Sequence, residues 1–280
     1  MDPCAPPSAK PTAASPWTVV PAAPAWRHID FISDLHLQPD GVATFATWQH
    51  YLRSTPADAL FILGDLFEIW VGDDAMSSAP VPNFEHQCAQ ILQAAAQHLA
   101  VFLMHGNRDF LLGSTFAASV GATLLPDPSV LAFAGQRWLL SHGDALCLDD
   151  HDYMAFRSQV RSNVWQQEFL EKPLAVRQQI AQTLRQQSEE HKHQCTSFVD
   201  LDAQASCDWL RAAQASTLIH GHTHKPSEHL LAPGLRRIVL SDWDGAATPP
   251  RAEVLRLSVN RSGPTPSCTM QRLSLTQSLV

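Results

Sequence analysis

The sequence predicts an α/β fold with a parallel sheet near its centre, and three observations carry that reading. From His28 to Met104, short apolar runs alternate with amphipathic stretches as β-α-β-α-β, with crossovers long enough to keep the strands parallel. After Gly121 the pattern changes to closely spaced short strands, which points to a second sheet. Between Asp150 and about Ser206 strand signals vanish and apolar residues recur every three or four positions, the period of helices.

The elements follow in order. Residues 1–26 hold seven prolines and seven alanines without a continuous apolar block, so a disordered extension is expected there. His28–Ile32 reads as the first strand, Val42–Ser54 as a helix, and Ala59–Leu63 as a buried strand. A second helix over about Asn83–His98 returns to a strand at Ala100–Met104. Val130–Phe133 and Arg137–Leu140 form a hairpin about Ala134-Gly135-Gln136. Tyr153, Phe156, Val160 and Val164 mark one helix of an insertion; Val176, Ile180 and Leu184 mark a second, with Pro173 in its first turn. Of these, Val160, Val176 and Ile180 are expected to pack against the body. Thr217–His220, Leu235–Leu240 and Ala252–Val259 continue the strands, and residues 261–280 form an edge strand and tail. The plan is one body, 27–149 with 207–260, interrupted by a helical insertion at 150–206.

A chain of 280 residues buries one substantial core. Its hydrophobic content of 45% and charged content of 16% are those of a soluble globular protein, and a net charge of -8 argues against a nucleic-acid binder, which needs a basic face. Six scattered cysteines without a CxxC pair, and an amino terminus unlike a signal peptide, predict a reduced, cytoplasmic setting. No apolar run approaches the roughly 18 residues of a membrane span, so any membrane contact is peripheral.

The chemistry gathers at strand ends. Phe61-Ile62-Leu63 stops at Gly64-Asp65, and four other apolar runs stop in Ser33-Asp34-Leu35-His36, His105-Gly106-Asn107-Arg108-Asp109, Ser141-His142-Gly143-Asp144 and His220-Gly221-His222-Thr223-His224. Turn chemistry explains one such tip. It does not explain five that all carry Asp, His or Asn, which hold hard or borderline divalent cations. Asp34 with His36, and His220 with His222, lie two residues apart and so face one side of an extended segment. Asp65 can bridge two cations, and there are ligands enough for two.

These blocks, Asp-x-His, Gly-Asp, Gly-Asn-x-Asp, His-Gly-Asp and Gly-His-Thr-His, resemble in order the calcineurin-like metallophosphoesterases over roughly residues 28 to 245. The resemblance implies an αββα sandwich of two mixed sheets flanked by helices, with the insertion as a cap. Gly64-Asp-Leu-Phe-Glu-Ile-Trp70 with Gly72-Asp-Asp74, Gly106-Asn-Arg-Asp-Phe-Leu111 and His142-Gly-Asp-Ala-Leu-Cys-Leu-Asp-Asp150 are similar to the branch that hydrolyses UDP-2,3-diacylglucosamine in lipid A biosynthesis. That resemblance implies two manganese ions per subunit, one on Asp34, His36, Asp65 and His222, the other on Asp65, Asn107, His142 and His220. It also implies a UDP-linked diacylated glucosamine as substrate, peripheral contact with the cytoplasmic face of the inner membrane, and substrate contacts at Asn107, Arg108, Asp150, Ser188, Lys192 and His220. Tyr153, Phe156 and Arg157 fall on the matching helix.

Arg108 and His220 are the expected stabilisers of transition-state charge. Many relatives carry histidine at position 108, which can protonate a poor leaving group; arginine stays protonated and instead clamps phosphoryl oxygens. That favours a substrate whose leaving group is itself a phosphate. His224 is read as a neighbour of the ligands, Asp109 and Asp144 as orienting loops, and Glu68 and Trp70 as ordering the segment after Asp65. Two other readings stay open: a metallophosphoesterase acting on another nucleotide diphosphate or dinucleoside polyphosphate, and a metal-free scaffold of the same fold.

Overall fold

The structure, a computed structural model, describes residues 17–78, 82–194, 200–261 and 267–275, with the side chains of 187–194 outside the described set. Its strands are β1 (Thr18–Pro21), β2 (His28–Ile32), β3 (Ala59–Leu63), β4 (Ala100–Met104), β5 (Thr123–Leu125), β6 (Ser129–Phe133), β7 (Gln136–Ser141), β8 (Thr217–His220), β9 (Ser227–Ala232), β10 (Leu235–Val239), β11 (Glu253–Asn260) and β12 (Ser267–Ser274). They form two mixed sheets, ordered β12-β11-β2-β3-β4-β5 and β1-β6-β7-β8-β10-β9.

β3 shows why the layers stack as they do. All five of its residues are buried, because alternate side chains enter different cores. Ala59, Phe61 and Leu63 face the second sheet, among Leu131, Trp138 and Ile219. Leu60 and Ile62 face the helices α1 (Val42–Ser54), α2 (Phe84–Ala95) and α3 (Ser114–Val120), which bring Trp48, Leu92 and Phe116. Between the sheets, Phe31, Phe61 and Phe102 lie in register and stack, with ring centroids 5.3 and 4.4 Å apart. On the far side α7 (Ala203–Ala213) covers the second sheet, where Leu210 and Ala213 pack with Val130, Leu139 and Leu218. The order of layers is helix, sheet, sheet, helix.

Four expectations need correction. The extension was expected to be disordered to residue 26, but Thr18–Pro21 pairs in parallel with β6 and Trp26 packs on Phe102; residues 1–16 lie outside the described set. Among its described residues the insertion has three helices, α4 (His151–Val160), α5 (Asn163–Leu170) and α6 (Leu174–Gln194). The apolar period from Tyr153 to Val164 breaks because Ser162 caps α5, its hydroxyl accepting from the Trp165 amide at 3.3 Å. α7 crosses the expected boundary at residue 206 and belongs to the body. Finally, Val160 is buried and Ile180 packs on the helix-side core, but Val176 is exposed. The buried position at that turn is Arg177, whose guanidinium donates to the Val71 and Lys172 carbonyls and pairs with Asp74.

Beneath the site, Asp30 of β2 is fully buried on the helix side. It accepts from Tyr51 Oη at 2.7 Å, Thr55 Oγ1 at 2.9 Å, and Arg256 Nε and Nη2 at 2.7 and 2.8 Å. Removing one partner of such a buried pair leaves a charge uncompensated. Arg256→Ala is therefore expected to destabilise the protein by about 3 kcal/mol, seen as a lower urea midpoint at constant slope. An unchanged midpoint would contradict this account of the cluster.

Candidate metal centre

Five strands end at one edge: β2, β3 and β4 from one sheet, β7 and β8 from the other. Just beyond their ends the chain turns sharply. Asp34, His36, Asp65, His222 and His224 all have positive φ, between 48° and 69°, a left-handed conformation that costs a non-glycine residue on the order of 1 kcal/mol or more. Neighbouring tips are tied together: Asp34 N donates to Gly64 O at 3.1 Å, and His36 N to Asp65 O at 3.0 Å. Asp109 gathers the Gly106 and Leu66 amides, both at 2.8 Å, and so orients loops as expected. The packing is close enough that a Cβ on Gly106 would sit 2.0 Å from Asp65 Oδ1, and one on Gly221 2.3 Å from Asp34 Oδ2.

Asp34 and Asp65 are buried here among imidazoles. Asp65 Oδ2 lies 3.8 Å from His36 Nε2 and 3.7 Å from His142 Nε2, between the two histidines it was expected to link. Asn107 Oδ1 accepts from His142 Nε2 and His222 Nδ1, each at 2.9 Å. His224 Nε2 is 3.3 Å from both Asp34 Oδ1 and His36 Nε2. Burial pushes the Asp34 carboxyl up, but His224, His142 and His36 overcome it and hold the group well below the usual carboxylate range. For Asp65 burial prevails and its pKa is raised. Burial alone would lower His142; Asp65, Asp34 and Asp144 instead carry it up to about 9. His222, buried beside cationic His142, falls to about 3.

One expected ligand is not brought to this cluster. His220, the last residue of β8, follows the pleat into the protein: it is fully buried, its Nδ1 lies 2.8 Å from Gly221 O, and burial lowers its pKa to about 4. His224 occupies the place expected for a second histidine, so the pair meeting the carboxylates is His222 and His224. The signal was available: β2 also carries Asp34 and His36 two and four residues beyond its last residue, as β8 carries these two.

The remaining expected residues are placed as follows. Arg108 lines the cleft of about 680 Å³, with its amide donating to Asp65 Oδ1 at 2.8 Å. Asp150 caps α4, accepting from the Tyr153 amide at 3.0 Å. Tyr153 Oη and Arg157 Nε hold Asp144 at 2.5 and 2.8 Å, beside His142. The side chains of Ser188 and Lys192 lie outside the described set. Asp73, of the Gly72-Asp-Asp74 segment, accepts from the Trp70 indole at 3.1 Å and from the Gly113 and Phe116 amides at 2.8 Å, which starts α3.

Donor atoms of Asp34, His36 and His224 lie within 4.8 Å of one another, as do those of Asp34, Asp65 and His142. Nitrogen and oxygen donors in a cradle that any side chain at 106 or 221 would fill fit divalent cations of the hard or borderline kind. A profile of the family described as calcineurin-like phosphoesterase matches residues 27–226. A Chromobacterium violaceum protein named UDP-2,3-diacylglucosamine hydrolase is 47% identical over 226 residues, covering 78% of this chain and 91% of that one. Proteins of the same name from Ralstonia nicotianae and Cellvibrio japonicus are 44% and 43% identical, covering 81% and 76% of this chain and 88% and 90% of theirs. With the family's profile and these relatives matched along most of its length, the chain belongs to the calcineurin-like phosphoesterase family.

Proposed function

We propose that the chain hydrolyses UDP-2,3-diacylglucosamine at the α-phosphorus, giving UMP and 2,3-diacylglucosamine 1-phosphate (lipid X), a step of lipid A biosynthesis. The relatives' names point to this substrate, and the observation that supports it in the chain itself is Arg108. Its amide holds Asp65 while its guanidinium lines the cleft, a fixed charge suited to phosphoryl oxygens and unable to protonate an alkoxide. A reaction that expels a sugar phosphate needs no such proton.

In this reading two divalent cations, manganese by the family resemblance, are held in two groups. Asp34, His36, Asp65 and His224 would hold one; Asp65, Asn107, His142 and His222 the other. When bound, they supply Lewis acidity at the phosphoryl oxygens and activate water as the nucleophile. The chain's own residues set this up. Leu63 O, 3.0 Å from His142 Nδ1, fixes that ring with Nε2 toward Asp65. Asn107 aligns His142 and His222, and Arg108 faces the substrate. The insertion, which brings Arg185 to the cleft, would act as its cap, and Trp165, stacked on buried Phe169 at 4.7 Å and 6.1 Å from Phe110, would offer apolar surface to acyl chains. Among the described residues no helix is long and apolar enough to cross a membrane, so access to a diacylated substrate would be by peripheral contact with the inner membrane's cytoplasmic face.

UMP release in the presence of Mn²⁺ is expected to be far faster from UDP-2,3-diacylglucosamine than from UDP-N-acetylglucosamine at equal concentration. Equal rates would discard the lipid assignment in favour of a general nucleotide diphosphatase. The two histidine pairs are separated by metal content: His224→Ala should lose about one of two Mn²⁺ ions after dialysis, measured by elemental analysis, whereas His220→Gln should keep both. The reverse pattern would restore His220 as a ligand.

Metal binding should also release a proton. Without metal, both His142 nitrogens face acceptors and the ring stays protonated up to about pH 9, while a ligand must offer a lone pair. Apparent Mn²⁺ affinity therefore rises with pH from neutrality and levels off above about 9. Because Glu68, Asp65 and Asp34 also raise His36 against its burial, calorimetry at pH 7.5 in buffers of different ionisation enthalpy is expected to show at least one proton released on loading both sites; a value of zero would contradict the imidazolium.

A further inference from the structure

The functional reading leaves Glu68 unused, although its carboxylate, 8% exposed, sits at a junction. Its Oε2 lies 2.8 Å from His36 Nδ1. Its Oε1 lies 3.0 Å from Arg185 Nε, on α6 of the insertion, and 3.8 Å from Arg108 Nη1. Arg185 also donates through Nη1 to Gln38 Oε1 at 3.3 Å. Gln38, Glu68 and Arg185 all line both the catalytic cleft and a second cavity of about 250 Å³ behind it, so their bridge is the wall between the two. α6 is thus held to the body at two heights: by Arg177 near its start, away from the chemistry, and two turns later by Arg185 on Glu68.

We propose that Glu68 is a positioning residue that couples the seat of the helical insertion to the metal site, holding His36 through one carboxylate oxygen and Arg185 with Arg108 through the other. The inference rests on the metal reading above. A carboxylate's two oxygens move together. The contact to Nδ1 turns His36 so that Nε2 points at Asp65, 3.8 Å away, as a ligand must. Arg185 and Arg108 stop the carboxylate from rotating away. A cap that lifts takes Arg185 with it and frees Glu68; a cap that seats restores His36.

The test is Mn²⁺ titration by calorimetry on the whole chain and its Glu68→Gln, Arg185→Gln and doubly substituted forms, with hydrogen exchange of residues 174–186 followed with and without Mn²⁺. Glu68→Gln keeps the side chain's shape and Arg185 is part exposed, so both variants should fold. Glu68→Gln is expected to weaken Mn²⁺ binding about tenfold, the usual effect of losing a partner behind a metal-binding histidine. Arg185→Gln should weaken it several-fold although Arg185 is not among the proposed ligands, and the double variant should be no worse than Glu68→Gln alone. Mn²⁺ should slow exchange in α6 of the unaltered protein and not in Glu68→Gln. If Arg185→Gln binds Mn²⁺ within twofold of the unaltered protein and Mn²⁺ leaves α6 exchange unchanged, Glu68 only packs and the coupling is wrong. Failure of the metal reading shows instead in the unaltered protein, which would take up no Mn²⁺ and overturn both.

Discussion

Two buried carboxylates at one sheet edge, Asp34 and Asp65, are the constraint around which this molecule is arranged. Like charges in a dry site repel, and each loses hydration that the protein must replace. Asp34 accepts from the His222 amide through both oxygens, at 3.1 and 3.0 Å, and from the Ser33 hydroxyl; Asp65 accepts from the Arg108 amide. Imidazoles supply the positive charge. The turns that aim these groups put five non-glycine residues in the left-handed region, and strain of that kind persists only where surrounding packing fixes it. Here the fixing structure is the layered core: β3 is buried on both faces, and the register of Phe31, Phe61 and Phe102 locks the three strands that deliver Asp34, Asp65 and Asn107.

How much of this could be read from sequence depended on whether the signal was local. β2, α1, β3 and β4 stand where periodicity and apolar runs place them, because each carries its own pattern. β1 does not: four residues in a Pro- and Ala-rich stretch become a strand only through β6, more than a hundred positions away, and no local period records that pairing. β9 is an edge strand with exposed and half-buried residues on both faces, so it has no alternation to detect. α3 and β5, of seven and three residues, are too short to show a period of their own. The site was legible as a set of strand ends, and six of the seven proposed ligands meet there. Spacing by itself does not separate His220 from His224, because a step of two residues is satisfied by both pairs. What separates them is where the strand stops, since a residue still in β8 obeys the pleat while those beyond it are free to turn toward the carboxylates.

The insertion is joined to the site by charge as well as by apolar packing. From α4, Arg157 reaches Asp144, and Arg161, just past its end, reaches both Asp144 and the Gly106 carbonyl; from α6, Arg185 reaches Glu68. Burial pushes Asp144 up, but His142, Arg157 and Arg161 hold it well below the usual carboxylate range. The same carboxylate helps to raise His142. Groups on the insertion and groups on the strand ends therefore share one electrostatic balance, and the position of the helices bears on the charge of His142 and its neighbours.

That balance also reconciles an acidic chain with an anionic substrate. A net charge of -8 acts at long range, where salt screens it beyond about 8 to 10 Å. Inside the cleft Arg108 and Arg185 stand among Asp40, Asp65, Glu68, Asp242 and Asp244, so a phosphoryl group would depend on these fixed cations and on bound metal, at distances over which screening is weak. These arginines are held by Glu68 on one side, and so stay placed without being neutralised by loose counter-ions. A long polyanion would have to approach the acidic surface along its length, whereas a single diphosphate need only enter the cleft. The overall charge thus disfavours a long polyanion, while the fixed arginines would serve a small phosphorylated ligand inside the cleft.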